Sequence, residues 1–225
     1  MLVLALDTAT PASTVAVAEV TSAGLRGVAE RRTVDPRAHG ELLAPQIRET
    51  LSEAAVKAAD LGAIVAGIGP GPFTGLRVGL ATAASMGQAL GIPTYGVCSL
   101  DALGRAAGPG RVLVATDARR REVYHATYRD GRRVTEPRVA KPAELTVDAD
   151  RAVGEGALMY SEVLGLPIDE MLLYPPGAAL AALAADRIRA GVEGERLTPL
   201  YLRRPDAVES SERKQVSQYS KHVRR

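Results

Sequence analysis

Residues 2–8, LVLALDT, form an apolar run closed by Asp7 and Thr8, as expected of a strand buried on both faces. Pro11 marks a turn, and residues 14–20 alternate apolar and small positions as a second strand. Gly24 closes another turn into a third strand at 25–34. Three strands joined by short turns make an antiparallel meander. The period then changes. Leu43, Ile47, Leu51 and Ala55 recur every four residues, with Glu49, Ser52, Glu53 and Lys57 elsewhere. This predicts an amphipathic helix over 41–59, with Pro45 near its start where a missing N–H is best tolerated. A buried strand follows at 61–68, then a Gly/Pro loop at 69–74. A second helix is expected over 75–90, capped by Thr74, and a short strand over 93–97.

The pattern restarts at 111–117, an apolar strand that again ends in Asp. A turn with Arg119, Arg120 and Arg121 leads to a strand at 122–128. Asp130-Gly131 signals a hairpin into a strand at 132–139. Asp7 and Asp117 thus hold matching places, which suggests two related halves rather than a short-period solenoid. A strand at 151–153, the run Gly154-Glu155-Gly156, a short helix and a helix at 177–190 complete the second half. Gly104, Gly108, Pro109 and Gly110 cluster where a boundary is expected. The reading divides the chain into 1–104, 105–207 and a charged tail at 208–225.

Composition narrows the function classes. One Phe, seven Tyr and no Trp argue against a protein that grips single strands mainly by base stacking. A single cysteine, Cys98, leaves no intrachain disulfide and no multi-cysteine zinc site. The N-terminal apolar run lacks a basic region and is cut by Asp7, unlike a signal peptide. No apolar stretch approaches the ~18–20 residues of a membrane span. A cytoplasmic protein that does not engage membranes is expected. Arg213, Lys214, Lys221, Arg224 and Arg225, set against Asp206, Glu209 and Glu212, account for the whole net charge of +2. The body is balanced, so its charge count demands no broad nucleic-acid face.

Four features bear on chemistry. A carboxylate at a strand end, as at Asp7-Thr8, can face a phosphate or a metal-bound water, or can cap its own turn. The echo at Asp117 strengthens the first reading. The loop 69–77, GPGPFTGLR, opens a helix but lacks the Gly-Lys-Ser/Thr of a P-loop, and Pro70 and Pro72 remove N–H donors. Gly75, Gly79, Ala83 and Gly87 fall at successive i+4 positions, a ridge with almost no bulk that lets another element come close. That element is internal or another subunit. Finally, His39, His125 and His222 form no His-x-x-x-His pair, and no serine sits in a Gly-x-Ser-x-Gly elbow. No catalytic residue and no metal ligand set emerges.

These segments carry a family resemblance. LALDTAT at 4–10, His39-Gly40-Glu41 leading into the Pro45 helix, GPGPFTGLRVGLATA at 69–83 and GIPTYGVCSLDAL at 91–103 resemble the bacterial TsaB (YeaZ) family. So do TDARRREVYHATY at 116–128 and PLYLRRPDA at 199–207. Gly40 and Pro72 stand where the family usually has serine, and nothing beyond 207 follows its pattern. The resemblance implies an α/β fold of two actin-like (ASKHA, ribonuclease H-like) subdomains, each a mixed five-stranded sheet with flanking helices. It implies a role in forming threonylcarbamoyladenosine beside the anticodon of tRNAs that read codons starting with A. In that family the catalytic relative is TsaD, which holds its metal through a His-x-x-x-His pair that this sequence lacks.

The resemblance therefore implies a non-catalytic subunit that binds and activates a TsaD-like partner. A TsaE-like ATPase joins, a homodimer forms when the chain is alone, and tRNA is met only through the complex. The implied partner surface comprises His39, Glu41, Leu42 and Pro45 on the first helix, with Gly75, Leu76, Gly79, Thr82, Ala83 and Met86 on the second. Asp7, Thr8, Asp117 and Gly154 are the nucleotide-facing candidates. No cofactor is expected on this chain alone, with ATP or ADP expected only at the junction of the complex. Two enzyme readings compete. An independent ATP-dependent phosphotransferase would use Asp7 and Asp117. A glycoprotease-like peptidase would need a metal site or a nucleophile–base pair, which the sequence does not offer.

Overall fold

The computed structural model describes residues 1–146 and 148–203; the tail expected at 208–225 lies outside them. Strands β1 (Leu2–Asp7), β2 (Ala12–Thr21) and β3 (Gly24–Val34) form the expected meander. Helix α1 (His39–Glu53), β4 (Leu61–Gly67), α2 (Phe73–Leu90) and β5 (Thr94–Val97) follow. The first sheet has the order β3-β2-β1-β4-β5, antiparallel in the meander and parallel from β1 through β4 to β5. Period-2 alternation splits its core. Leu4 and Leu6 point to the side covered by α1 and α2, while Val3 and Ala5 point to the opposite side.

Helix α3 (Ser99–Ala107) precedes β6 (Arg111–Asp117), β7 (Val123–Arg129), β8 (Arg132–Arg133), β9 (Arg138–Ala140) and β10 (Arg151–Val153). The second sheet runs β10-β6-β7-β8, with β9 also on β7. Strand β10 is parallel to β6, and the other pairs are antiparallel. Short helices α4 (Glu155–Met159) and α5 (Ser161–Leu164) cover one face, and α6 (Gly177–Arg189) comes last. Two mixed five-stranded sheets with flanking helices are what the family resemblance implied.

Several details differ from the sequence reading. Helix α1 ends at Glu53, because Ala55 turns left-handed at φ 54° and Lys57 is extended. It also begins at His39, which places Pro45 inside the helix. Helix α2 begins at Phe73 with Pro72 before it, so Thr74 is helical and not the cap. The strand expected at 132–139 is broken. Thr135 uses its hydroxyl to accept the Thr127 N–H, and Pro137 has no N–H to donate. The glycine-rich boundary near 100–110 is largely α3. Its Ala102 joins the core of the first sheet, while Leu100 and Leu103 join that of the second. Helix α6, within 105–207, packs Leu180, Ala181, Ala184 and Ile188 on the back of the first sheet.

Gly104 in α3 lies against the ring of Tyr128, whose hydroxyl donates to Asp101 at 2.8 Å. A Cβ at Gly104 would overlap that ring. Gly104→Ala should therefore destabilise by about 1–3 kcal/mol, although alanine favours helix. An unchanged melting temperature would contradict this packing of α3 between the sheets.

Candidate functional site

Asp7 and Asp117 end equivalent strands and do the same local work. The Asp7 carboxylate accepts the Ala9 N–H at 2.9 Å, and that of Asp117 accepts the Arg119 N–H at 2.9 Å. Each caps its own turn. Asp7 is 1% exposed and also accepts the Ser99 hydroxyl at 2.5 Å. Burial raises its pKa, against the lowering effect of the Ser99 and Ala9 hydrogen bonds. A Cβ at Gly67 would overlap its carboxylate, which explains the glycine. Asp7 therefore lies sealed under the sheet end. Gly154, at φ 101°, lies against the Ala115 carbonyl, where a Cβ would overlap it.

Thr8 is equally buried, and its hydroxyl is set into α2. It donates to the Gly75 carbonyl at 2.7 Å and accepts the Gly79 N–H at 3.1 Å. Those two backbone groups are an i, i+4 pair of the helix. Only glycine leaves room. A Cβ at Gly79 would overlap the Thr8 hydroxyl, and one at Gly75 would press on the Thr8 carbonyl at 3.0 Å and on the His39 ring at 3.1 Å. Gly87 meets Thr94 of β5 in the same way. The small-residue ridge thus packs against the protein's own first sheet. Of the expected partner surface, Gly75, Leu76, Gly79 and Ala83 are buried inward. His39 is buried as well. Glu41 is exposed, and Leu42, Pro45, Thr82 and Met86 are half-buried.

His39 accepts or donates at Nδ1 to the Ser13 hydroxyl at 2.8 Å. A serine–histidine pair therefore exists that the sequence reading did not foresee, because the two lie on different elements. Ser13 is 1% exposed within β2, so no substrate can reach its hydroxyl. Burial lowers the His39 pKa and keeps the ring neutral. Burial likewise pushes the Cys98 thiol up to about 12, which leaves it unreactive. Among the described residues, no three His, Cys, Asp or Glu side chains are grouped to hold a metal ion.

Two features escaped the sequence reading. Glu155 is a buried carboxyl; one oxygen accepts the Asp117 N–H at 3.2 Å and the other has no partner. Burial pushes its pKa up to about 8, and Asp117 and Asp7 add to the rise. The second is the turn after β6. Arg119, Arg120 and Arg121 all take positive φ, at 62°, 55° and 60°. Each left-handed residue of this kind costs roughly 1–2 kcal/mol. The run of three arginines was visible in the sequence, but its backbone was not.

Two outcomes test this geometry. Gly79→Leu should lose roughly 2–4 kcal/mol by overpacking and by displacing Thr8, outweighing the gain in helix propensity. An unchanged melting temperature would put the ridge on an outer surface. Glu155 provides a pH test. Folded protein holds its proton up to about pH 8, while the unfolded carboxyl releases it near 4.5. Folding then takes up a proton between these values, so stability falls as pH rises through them. Buried His39 and His125, their pKa values lowered from 6.5 by burial, act in the opposite direction below that pH. The readout is therefore the difference from Glu155→Gln, whose melting temperature should fall less between pH 5 and 8.5. Parallel curves for the two proteins would contradict a buried neutral carboxyl.

Comparison with known proteins agrees with this architecture. The family described as "TsaD: tRNA N6-adenosine threonylcarbamoyltransferase" matches residues 30–193. An uncharacterised protein of Mycobacterium tuberculosis is 50% identical over 206 residues, covering 91% of this chain and 93% of its own. The tRNA threonylcarbamoyladenosine biosynthesis protein TsaB of Escherichia coli is 35% identical over 132 residues, 57% of this chain and 55% of that protein. The chain spans 56% of a longer Mycobacterium leprae relative. The solved structure of YeaZ from Pseudomonas aeruginosa superposes with a TM-score of 0.74 at 34% identity, covering 89% of this chain and 99% of that one. With this fold, this turn chemistry and these relatives, the chain belongs to the YeaZ (TsaB) family.

Proposed function

We propose that this protein is the non-catalytic partner of a TsaD-like subunit that forms threonylcarbamoyladenosine in tRNA. The observation that carries this reading is the fate of the strand-end aspartates. In a duplicated fold they are the natural catalytic pair, yet here each accepts the N–H of its own turn. Asp7 is in addition enclosed by Ser99 and Gly67. An independent phosphotransferase would need one of them free to hold a metal-bound water or a hydroxyl. The peptidase reading fails on access, since Ser13 is sealed in β2.

The partner surface is then the outward side of α1 and α2. Leu42, Pro45, Thr82 and Met86 remain from the expected set, with exposed Glu41 at their edge. The inward ridge sets the position of this side but does not contribute contacts to it. A stable interface buries ~1,600 Å², with a few central apolar residues dominating its energy. The same surface serves the homodimer when the chain is alone. A TsaE-like ATPase joins the assembly, and any ATP or ADP sits at its junction. No helix of the described residues is long and apolar enough to cross a membrane, which suits work on tRNA in the cytoplasm.

The test is association. Met86→Asp and Leu42→Asp should each weaken binding to a purified TsaD-like subunit by about thirtyfold or more, read by size-exclusion chromatography and titration calorimetry. The melting temperature of Leu42→Asp should stay near wild type, while that of Met86→Asp should fall, because Met86 also packs against the core of the first sheet. The isolated protein should transfer no threonylcarbamoyl group to tRNA and should stimulate the catalytic subunit. Wild-type association by both variants, or transferase activity of the chain alone, would refute the reading.

A further inference from the structure

A cleft of about 210 Å³ lies where the start of α2 faces the turn after β6. Phe73, Tyr124 and Tyr201 line it together with Arg119 and Arg203. The two rings stack on each other, with centroids 5.4 Å apart and planes inclined by 25°. The Arg77 guanidinium lies over Phe73, 4.7 Å from its centroid. Arg77, Phe73 and Tyr201 thus build a column at the rim of the cleft. Phe73 is the only phenylalanine in the chain, yet it is 46% exposed, and Tyr201 is 40% exposed. A core would have welcomed both rings; here Arg77 and Tyr201 cover the faces of Phe73, and the outer face of Tyr201 ends the column.

Arg119 and Arg203 of the lining are fixed, each beside a carboxylate. Asp117 accepts the Arg119 N–H and lies 3.6 Å from its guanidinium, and the whole turn is left-handed. The equivalent turn after β1 has no positive φ. Strain kept in one of two duplicated turns, at the mouth of a cleft, marks that turn for use. Arg203 is placed by its hydrogen bond to the Ala118 carbonyl at 2.9 Å and by its ion pair with Glu122. Arg120 adds a third guanidinium to the lining, against the carboxylates of Asp117 and Glu122.

We propose that this cleft binds an unpaired nucleotide, its base on the outer face of Tyr201, where the Phe73–Tyr201 stack ends, and its phosphate on Arg119. Stacking on exposed aromatic faces tolerates any base, and a guanidinium matches phosphate geometry. The same chemistry comes from a free nucleotide or from one nucleotide of an RNA strand. The RNA source rests on the tRNA role proposed above; the free nucleotide does not.

The test uses the full chain. A fluorescein-labelled single-stranded RNA octamer is titrated by anisotropy at two salt concentrations, and AMP by calorimetry. Tyr201→Ala should weaken binding about tenfold, while Tyr201→Phe, which keeps the ring, should bind as wild type. Arg119→Gly suits the left-handed backbone and should not lower the melting temperature, but should weaken binding and reduce the salt slope by about one phosphate. Tight RNA binding with AMP unbound identifies a strand as the source, and the reverse identifies a free nucleotide; both uphold the site. Neither ligand binding below about 1 mM, or binding unchanged by Tyr201→Ala and Arg119→Gly, overturns it. Loss of this site with TsaD association intact would leave the proposed function standing.

Discussion

The Thr8 hydroxyl, placed between the Gly75 carbonyl and the Gly79 N–H, is the contact on which the first subdomain depends. It joins the end of the central strand to the helix that covers it. Buried backbone groups demand partners, so the hydroxyl cannot leave without cost. The helix can come this close only because its inward ridge is glycine and alanine. Helix α1 is fixed beside it by similar means. His39 meets Ser13, and the Gln46 amide donates to the carbonyls of Ser13 and Arg31 at 2.9 and 2.7 Å. Together these bonds decide which faces of α1 and α2 look inward, and so which are left for a partner.

The second subdomain repeats the strand–Asp–turn–strand plan but is bound into the first. Helix α3 contributes to both cores, and α6 returns from the second half to cover the first sheet. The chain then runs along the free edge of β5, where Glu195 bonds Thr94, and on to Ile68 and the cleft, where Leu200 and Leu202 join the second core. The two halves have also diverged chemically. Asp7 is enclosed by serine and glycine, while Asp117 sits beside Arg119 and the buried Glu155.

Much of this was legible from period and punctuation. Apolar runs ending in Asp located β1 and β6, and fourfold spacing located α1. What could not be read was direction. The Gly75–Gly79–Ala83 ridge announces close approach, but nothing in its spacing says whether the neighbour is a sheet or another chain. Thr8, 67 residues from Gly75, decides it. Helix α3 was hidden because Gly104 looks like a breaker, when it is a seat for Tyr128. The burial of Asp7 and Thr8 depends on residues distant in sequence, Ser99 and Gly67 for the one and α2 for the other. The left-handed arginine turn and the exposed Phe73–Tyr201 pair depend on tertiary placement, which local pattern does not encode.

In the proposed role, the inward ridge holds α2 so that its outer side, with that of α1, receives the catalytic partner. Hydrogen–deuterium exchange of the protein with and without a TsaD-like subunit tests it most directly. Peptides covering 38–54 and 73–91 should gain protection, with β6, β7 and the arginine turn unchanged. The Gly79 amide, already bonded to Thr8, should exchange slowly even in the free protein. Protection confined to the second subdomain, or a rapidly exchanging Gly79 amide in the free protein, would contradict it.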